Sequence, residues 1–118
     1  MNCIFCQIVE RDAPATIVFE NEAVLGILPI EPITEGHTLI IPKKHSTNVL
    51  DMDQADLIEV TKISQELGRQ ILVQQNASGL NLLHAAGEDA QQSVFHTHFH
   101  LVPRNSGDGL DLWFRNKL

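Results

Sequence analysis

The segment Val94-Phe95-His96-Thr97-His98-Phe99-His100-Leu101-Val102-Pro103 constrains the fold of this chain more than any other, because histidines alternate with mostly apolar residues through it. A strand puts residues two apart on the same side, so His96, His98 and His100 share one face while Phe95, Thr97, Phe99 and Leu101 take the other. Three of the chain's six histidines fall in this one stretch. A lone histidine on a strand is ordinary polar surface. Three in register supply nucleophiles, phosphate donors or metal ligands near neutral pH, so the pattern predicts a sheet that carries chemistry.

The remaining elements can be read around that strand. Residues 3–10 suit a short helix with Ile4, Phe5, Ile8 and Val9 on one side, and Pro14 ends it. Two β-rich runs, 16–20 and 23–28, flank Asn21-Glu22 and read as a hairpin. Gly36 leads into a strand at 37–41 closed by Pro42. Asp51 or Asp53 can cap one long helix in which Leu57, Val60, Ile63, Leu67 and Ile71 recur at amphipathic spacing, ending near 74–76. Gly79 opens a strand to about residue 84, a polar loop spans 87–92, and the histidine strand follows.

One short helix, one long helix and about five strands with hairpin-length links indicate an α+β fold with a mainly antiparallel sheet. At 118 residues the chain is expected to form a single domain, residues 1–118, with a core that needs no disulfide. An open sheet leaves edges, and Trp113 with Phe114 in the tail would be costly to expose. A homodimer is the expectation, with the tail folding back on its own subunit as the alternative.

Charge and composition limit the partners. A net charge of −7 argues against a nucleic acid polymer, whose binders gather lysine and arginine on one face, but local donors still permit a small anionic substrate. The opening Met1-Asn2-Cys3-Ile4-Phe5-Cys6 lacks the basic stretch and apolar run of a secretory signal, and no apolar run is long enough to span a bilayer. A soluble, cytoplasmic protein with no membrane partner is expected. In that setting Cys3-x-x-Cys6 suggests metal binding or redox chemistry, although two thiolates fill only half of a tetrahedral site.

Taken together, the histidine row, the preceding Gln92-Ser93-Val94-Phe95, the segment Gly36-His37-Thr38-Leu39-Ile40-Ile41-Pro42-Lys43-Lys44-His45 and the start Cys3-Ile4-Phe5-Cys6 resemble the histidine triad (HIT) family. The family signature His-φ-His-φ-His-φ-φ, with φ apolar, is met except at Thr97. The resemblance runs from Asn2 to about Arg104. It implies a HIT-like fold and hydrolysis or transfer of a nucleoside monophosphate from a phosphoramidate, a dinucleoside polyphosphate or a related ester.

By the same resemblance the catalytic set would be His98, His100, His96 and Ser93. His98 would be the nucleophile that carries a covalent nucleotidyl group, His100 would donate to phosphate oxygens, and Ser93 would assist the leaving group. A neutral imidazole is a competent nucleophile near pH 7, which agrees with that assignment. Gln92 would help bind substrate, His37 would support the triad, and Phe5, Ile8, Ile27, Leu28 and Ile30 would wall the base. His84 matches no family position and reads as structural.

The resemblance also implies a structural zinc ion held by Cys3, Cys6, His45 and His96, the closed Cys2His2 set expected of such a site, and no organic cofactor. The thiols would otherwise be small buried hydrophobes or a redox pair. Two departures from the family pattern bear on the nucleoside. Pro29 stands where an aspartate usually binds the ribose hydroxyls, and Ala85 where asparagine is common; Gln91 also replaces a glycine. Each lost hydrogen bond could cost roughly 1 to 3 kcal/mol of binding. They leave two expectations open, a HIT-type nucleotide hydrolase or a zinc-stabilised nucleotide- or anion-binding module with little turnover.

Overall fold

A computed structural model describes residues 2–114. The elements run α1 (Ile4–Val9), β1 (Ile17–Glu20), β2 (Val24–Ile27), β3 (Thr38–Pro42), α2 (Gln54–Gln74), β4 (Gly79–Leu83) and β5 (Phe99–Arg104), with one 3-10 turn at Glu88–Ala90. The five strands form one antiparallel sheet in the order β1-β2-β3-β5-β4, as the α+β reading expects.

Strand alternation divides the core in two. Val24, Ile40, Phe99 and Leu101 turn toward α2 and meet Val60, Ile63, Leu67 and Ile71, the stripe that the helical spacing places on one side. Leu25, Ile27, Leu39 and Ile41 turn the other way and meet Phe5 and Ile8 of α1. Leu39 pairs with His100 across the β3–β5 ladder, so the histidine face is the α1 face. Gly36 makes the entry to β3 possible: its φ is +91°, and a Cβ there would lie 2.6 Å from the Gln75 side chain at the end of α2.

Two local expectations change. Asp53 occupies the N-cap of α2 but makes no capping bond, because its carboxylate pairs with Lys44. Asp51 instead accepts the Thr47 and Asn48 amides. The histidine strand begins only at Phe99, so His96, in a bend, and His98 lie in an irregular lead-in rather than in the sheet. The reason is competition for the backbone: the Thr97 amide donates to the Ser46 carbonyl, and the His96 and His98 carbonyls accept from histidine side chains. At the tail, Trp113 and Phe114 stack on each other at 5.2 Å and stay about half exposed. None of the described helices is long and apolar enough to cross a membrane.

Candidate active site and metal centre

The first site is built at the N-terminus of α1. Cys3 is the N-cap residue, its sulfur 3.3 Å from the Cys6 amide that donates to it, so the first turn brings the two thiols together. His45, just beyond β3, puts Nδ1 3.3 Å from Cys6 Sγ. His96 puts Nδ1 3.3 Å from Cys3 Sγ, 3.5 Å from Cys6 Sγ and 3.1 Å from His45 Nδ1. All four candidate ligand atoms lie within 4.8 Å of one another.

Hydrogen bonding alone is a poor account of this cluster. The Pro42 carbonyl, 2.8 Å from His96 Nε2, can only accept, so Nε2 carries the proton and Nδ1 presents its single lone pair. Two sulfurs and a nitrogen crowd that one lone pair. A tetrahedral ion with bonds of about 2.3 Å to sulfur and about 2.05 Å to nitrogen would set S–N edges near 3.6 Å and N–N edges near 3.3 Å. Four of the six edges, at 3.3, 3.3, 3.5 and 3.1 Å, match this shape slightly contracted, and the other two are within 4.8 Å.

The chemistry of the donors agrees. Burial, followed by the neighbouring Cys3 thiol, pushes Cys6 up to about 11, so this thiol resists ionising alone. A divalent cation reverses that preference. The Pro42 carbonyl is the outer-sphere partner that fixes the His96 tautomer.

The second site begins two residues on. His98 donates from Nδ1 to the His96 carbonyl at 2.8 Å, which leaves Nε2 with its lone pair. Burial lowers the His98 pKa against the opposing effect of that carbonyl bond, so the ring is neutral at pH 7. Phe5 packs edge-on against both His96 and His98, at 5.8 and 5.1 Å. Only 8% of His98 is exposed. The described residues contain one buried side-chain nitrogen or oxygen without a partner, Ser64 Oγ. His98 Nε2, which accepts from no donor among the described residues, is therefore the edge that solvent still reaches.

A chain of donors fixes the third histidine. The Ile33 amide donates to His37 Nδ1 at 3.1 Å, so His37 is protonated at Nε2, and Nε2 donates to His100 Nδ1 at 3.0 Å. His100 therefore keeps its proton on Nε2. Burial, with the neighbouring His98, His37 and His84 rings adding to it, pushes His100 down to about 4. Burial also lowers His37. His98 and His100 stand 5.1 Å apart, ring to ring, one offering a lone pair and the other an N–H.

Other sequence-derived site residues separate. Phe5, Ile8 and Ile27 stay together under α1. Leu28 does not join them, because successive strand residues face opposite ways. It lies beside a cavity of about 510 Å³ against Leu67 and Ile71, on the α2 side. Ile30 is 99% exposed.

Gln92 is a loop post rather than a free donor. Its amide donates to the Thr47 and Val94 carbonyls and accepts from the Gly87 amide and Asn48 Nδ2. Ser93 is exposed on a hollow with Asn2, Cys3 and Phe95, and its hydroxyl bonds to no other described residue. His84, unassigned from the sequence, donates from Nδ1 to the His98 carbonyl at 2.9 Å, a contact for which the sequence carries no periodic signal.

Residues 10–107 match the model of the HIT domain. The chain belongs to the HIT family. It is 42% identical to an uncharacterized HIT-like protein of Borreliella burgdorferi, over 99% of this chain and 86% of that protein. A Zn-bound histidine triad family protein from Mycobacterium smegmatis superposes with a TM-score of 0.90 at 42% identity, covering 95% of this chain and 81% of that one. A HIT family hydrolase from Clostridium thermocellum superposes at 0.78 and 33% identity, covering 95% and 97% respectively. Within the HIT fold, then, this chain carries both the Cys2His2 cluster and the histidine row.

Proposed function

We propose that this HIT protein is a hydrolase or transferase that removes a nucleoside monophosphate from a phosphoramidate, a dinucleoside polyphosphate or a related ester. The observation that carries the reading is the complementary state of two rings: His98 offers Nε2 as a lone pair, while His100 offers Nε2–H. In the proposed first step His98 Nε2 attacks the α-phosphorus and the bond to the leaving group breaks, with that group taking a proton as it departs. Water then cleaves the nucleotidyl-His98 bond and returns the ring to its starting state. His100 stabilises charge on the phosphoryl oxygens through a neutral donor. Ser93, exposed and with no partner among the described residues, is the candidate to assist the leaving group.

Cys3, Cys6, His45 and His96 would hold a zinc ion, which supplies structure by tying α1 to the lead-in of β5. The neighbour described as Zn-bound and the tetrahedral edges support that reading. The HIT hydrolase neighbour supports the enzymatic one. Phe5, Ile8 and Ile27 remain as the apolar wall beside the triad. A single domain that pairs as a homodimer, in the cytoplasm, completes the proposal.

A second reading, a zinc-stabilised binding module with little turnover, is favoured by Pro29, Ala85 and the shallow exposure of His98. Incubation with an adenosine phosphoramidate separates the two. The enzymatic reading expects turnover that is lost in His98→Ala and His98→Gly. Turnover that those changes leave intact would remove the nucleophile.

A further inference from the structure

We propose that His84 is a positioning residue for the nucleophilic histidine, holding the His98 peptide where the sheet no longer does. The β4–β5 ladder reaches its last pair at Leu83 and His100, and the β3–β5 ladder at Ile40 and Phe99. His98 lies two residues beyond the first and one beyond the second. Its carbonyl accepts instead from His84 Nδ1 at 2.9 Å.

The other nitrogen of His84 is equally committed. The Val49 amide, which can only donate, lies 3.1 Å from Nε2. His84 therefore donates from Nδ1 and accepts at Nε2, and it bridges the nucleophile's backbone to the loop that follows His45. Its ring stacks on Phe99 at 4.4 Å, which removes the rotational freedom that would break either bond.

The consequence for chemistry follows from how His98 is held. Its ring is oriented by the His96 carbonyl and its backbone by His84, so the two bonds together aim Nε2. Loss of one support lets the peptide turn, and a misplacement of about 1 Å at a reacting atom can cost about a hundredfold in rate. His84 touches neither reacting atom. It acts through His98, and the kinetic part of this inference rests on the proposed nucleotidyl transfer.

The test compares His84→Asn, whose amide can donate to the His98 carbonyl as Nδ1 does, with His84→Gln, whose longer side chain reaches toward Val49 instead. With an adenosine phosphoramidate, Asn is expected to keep kcat within about threefold, while Gln loses tenfold or more with KM within about twofold. Equal kcat in the two variants would overturn the assignment.

An independent readout is the ¹⁵N spectrum of the imidazoles. In the parent, His98 shows one protonated nitrogen, Nδ1, and in His84→Gln that signature gives way to mixed tautomers. A His98 spectrum unchanged in His84→Gln would overturn the proposal even if the parent hydrolysed no phosphoramidate, a result that would bear on the enzymatic reading alone.

Discussion

Acid should loosen the fold at His100 specifically. The native ring is pushed down to about 4, mainly by burial, from an ordinary value of 6.5. Below the ordinary value the unfolded chain takes up a proton that the native ring refuses, so this contribution to stability is complete above about pH 6.5 and is lost progressively toward about pH 4. At about pH 4.5 the loss comes to roughly 1 to 2 kcal/mol, after discounting for the part of the ring that remains open to solvent. The donor chain gives the physical reason: a second proton on His100 would sit on Nδ1, facing His37 Nε2–H at 3.0 Å.

Urea unfolding of the parent and of His100→Asn, at about pH 7.5 and about pH 4.5 and constant ionic strength, isolates the effect. Asparagine does not titrate, so titrations shared by the two proteins cancel in the difference. The parent should lose about 1 to 2 kcal/mol more on acidification than the variant. Equal losses would refute the claim that burial holds His100 neutral.

Three further outcomes are expected. Cys6→Ser, purified without added metal, should carry far less zinc than the parent, which should hold about one ion per chain, and should melt at a lower temperature; equal zinc in both would count against the cluster. Gln92→Leu leaves the Thr47 and Val94 carbonyls and the Gly87 amide without their partner, and should cost about 3 to 5 kcal/mol in denaturant unfolding. His37→Leu removes the donor to His100 Nδ1 and frees its tautomer, so phosphoramidate turnover should fall roughly tenfold to a hundredfold with zinc content unchanged by elemental analysis.

Periodic features were the legible part of this chain. Val60, Ile63, Leu67 and Ile71 announce α2 because helical burial repeats, and Phe99 and Leu101 announce the α2 face of β5 because strand burial alternates. The metal quartet is different in kind. Cys3 and His96 stand 93 residues apart, so spacing yields only the cysteine pair and the resemblance supplies the rest.

Side chains that bind backbone leave no pattern to read. His84 looks like any lone histidine until the His98 carbonyl is seen beside it, and Gln92 looks like loop polarity until its bonds to three backbone segments are traced. Leu28 is a case where the pattern was available: alternation with Ile27 assigns it to the opposite face. The start of β5 was not available, because it depends on the Ser46 carbonyl capturing the Thr97 amide from a distant loop.

The proposed bond between His98 Nε2 and the α-phosphorus can be trapped directly. Protein mixed with an adenosine phosphoramidate, denatured at alkaline pH to preserve an acid-labile P–N bond, and digested for mass spectrometry should yield an adenylylated peptide with the modification on His98. Modification of a different residue, or turnover with His98 unmodified throughout, would contradict it.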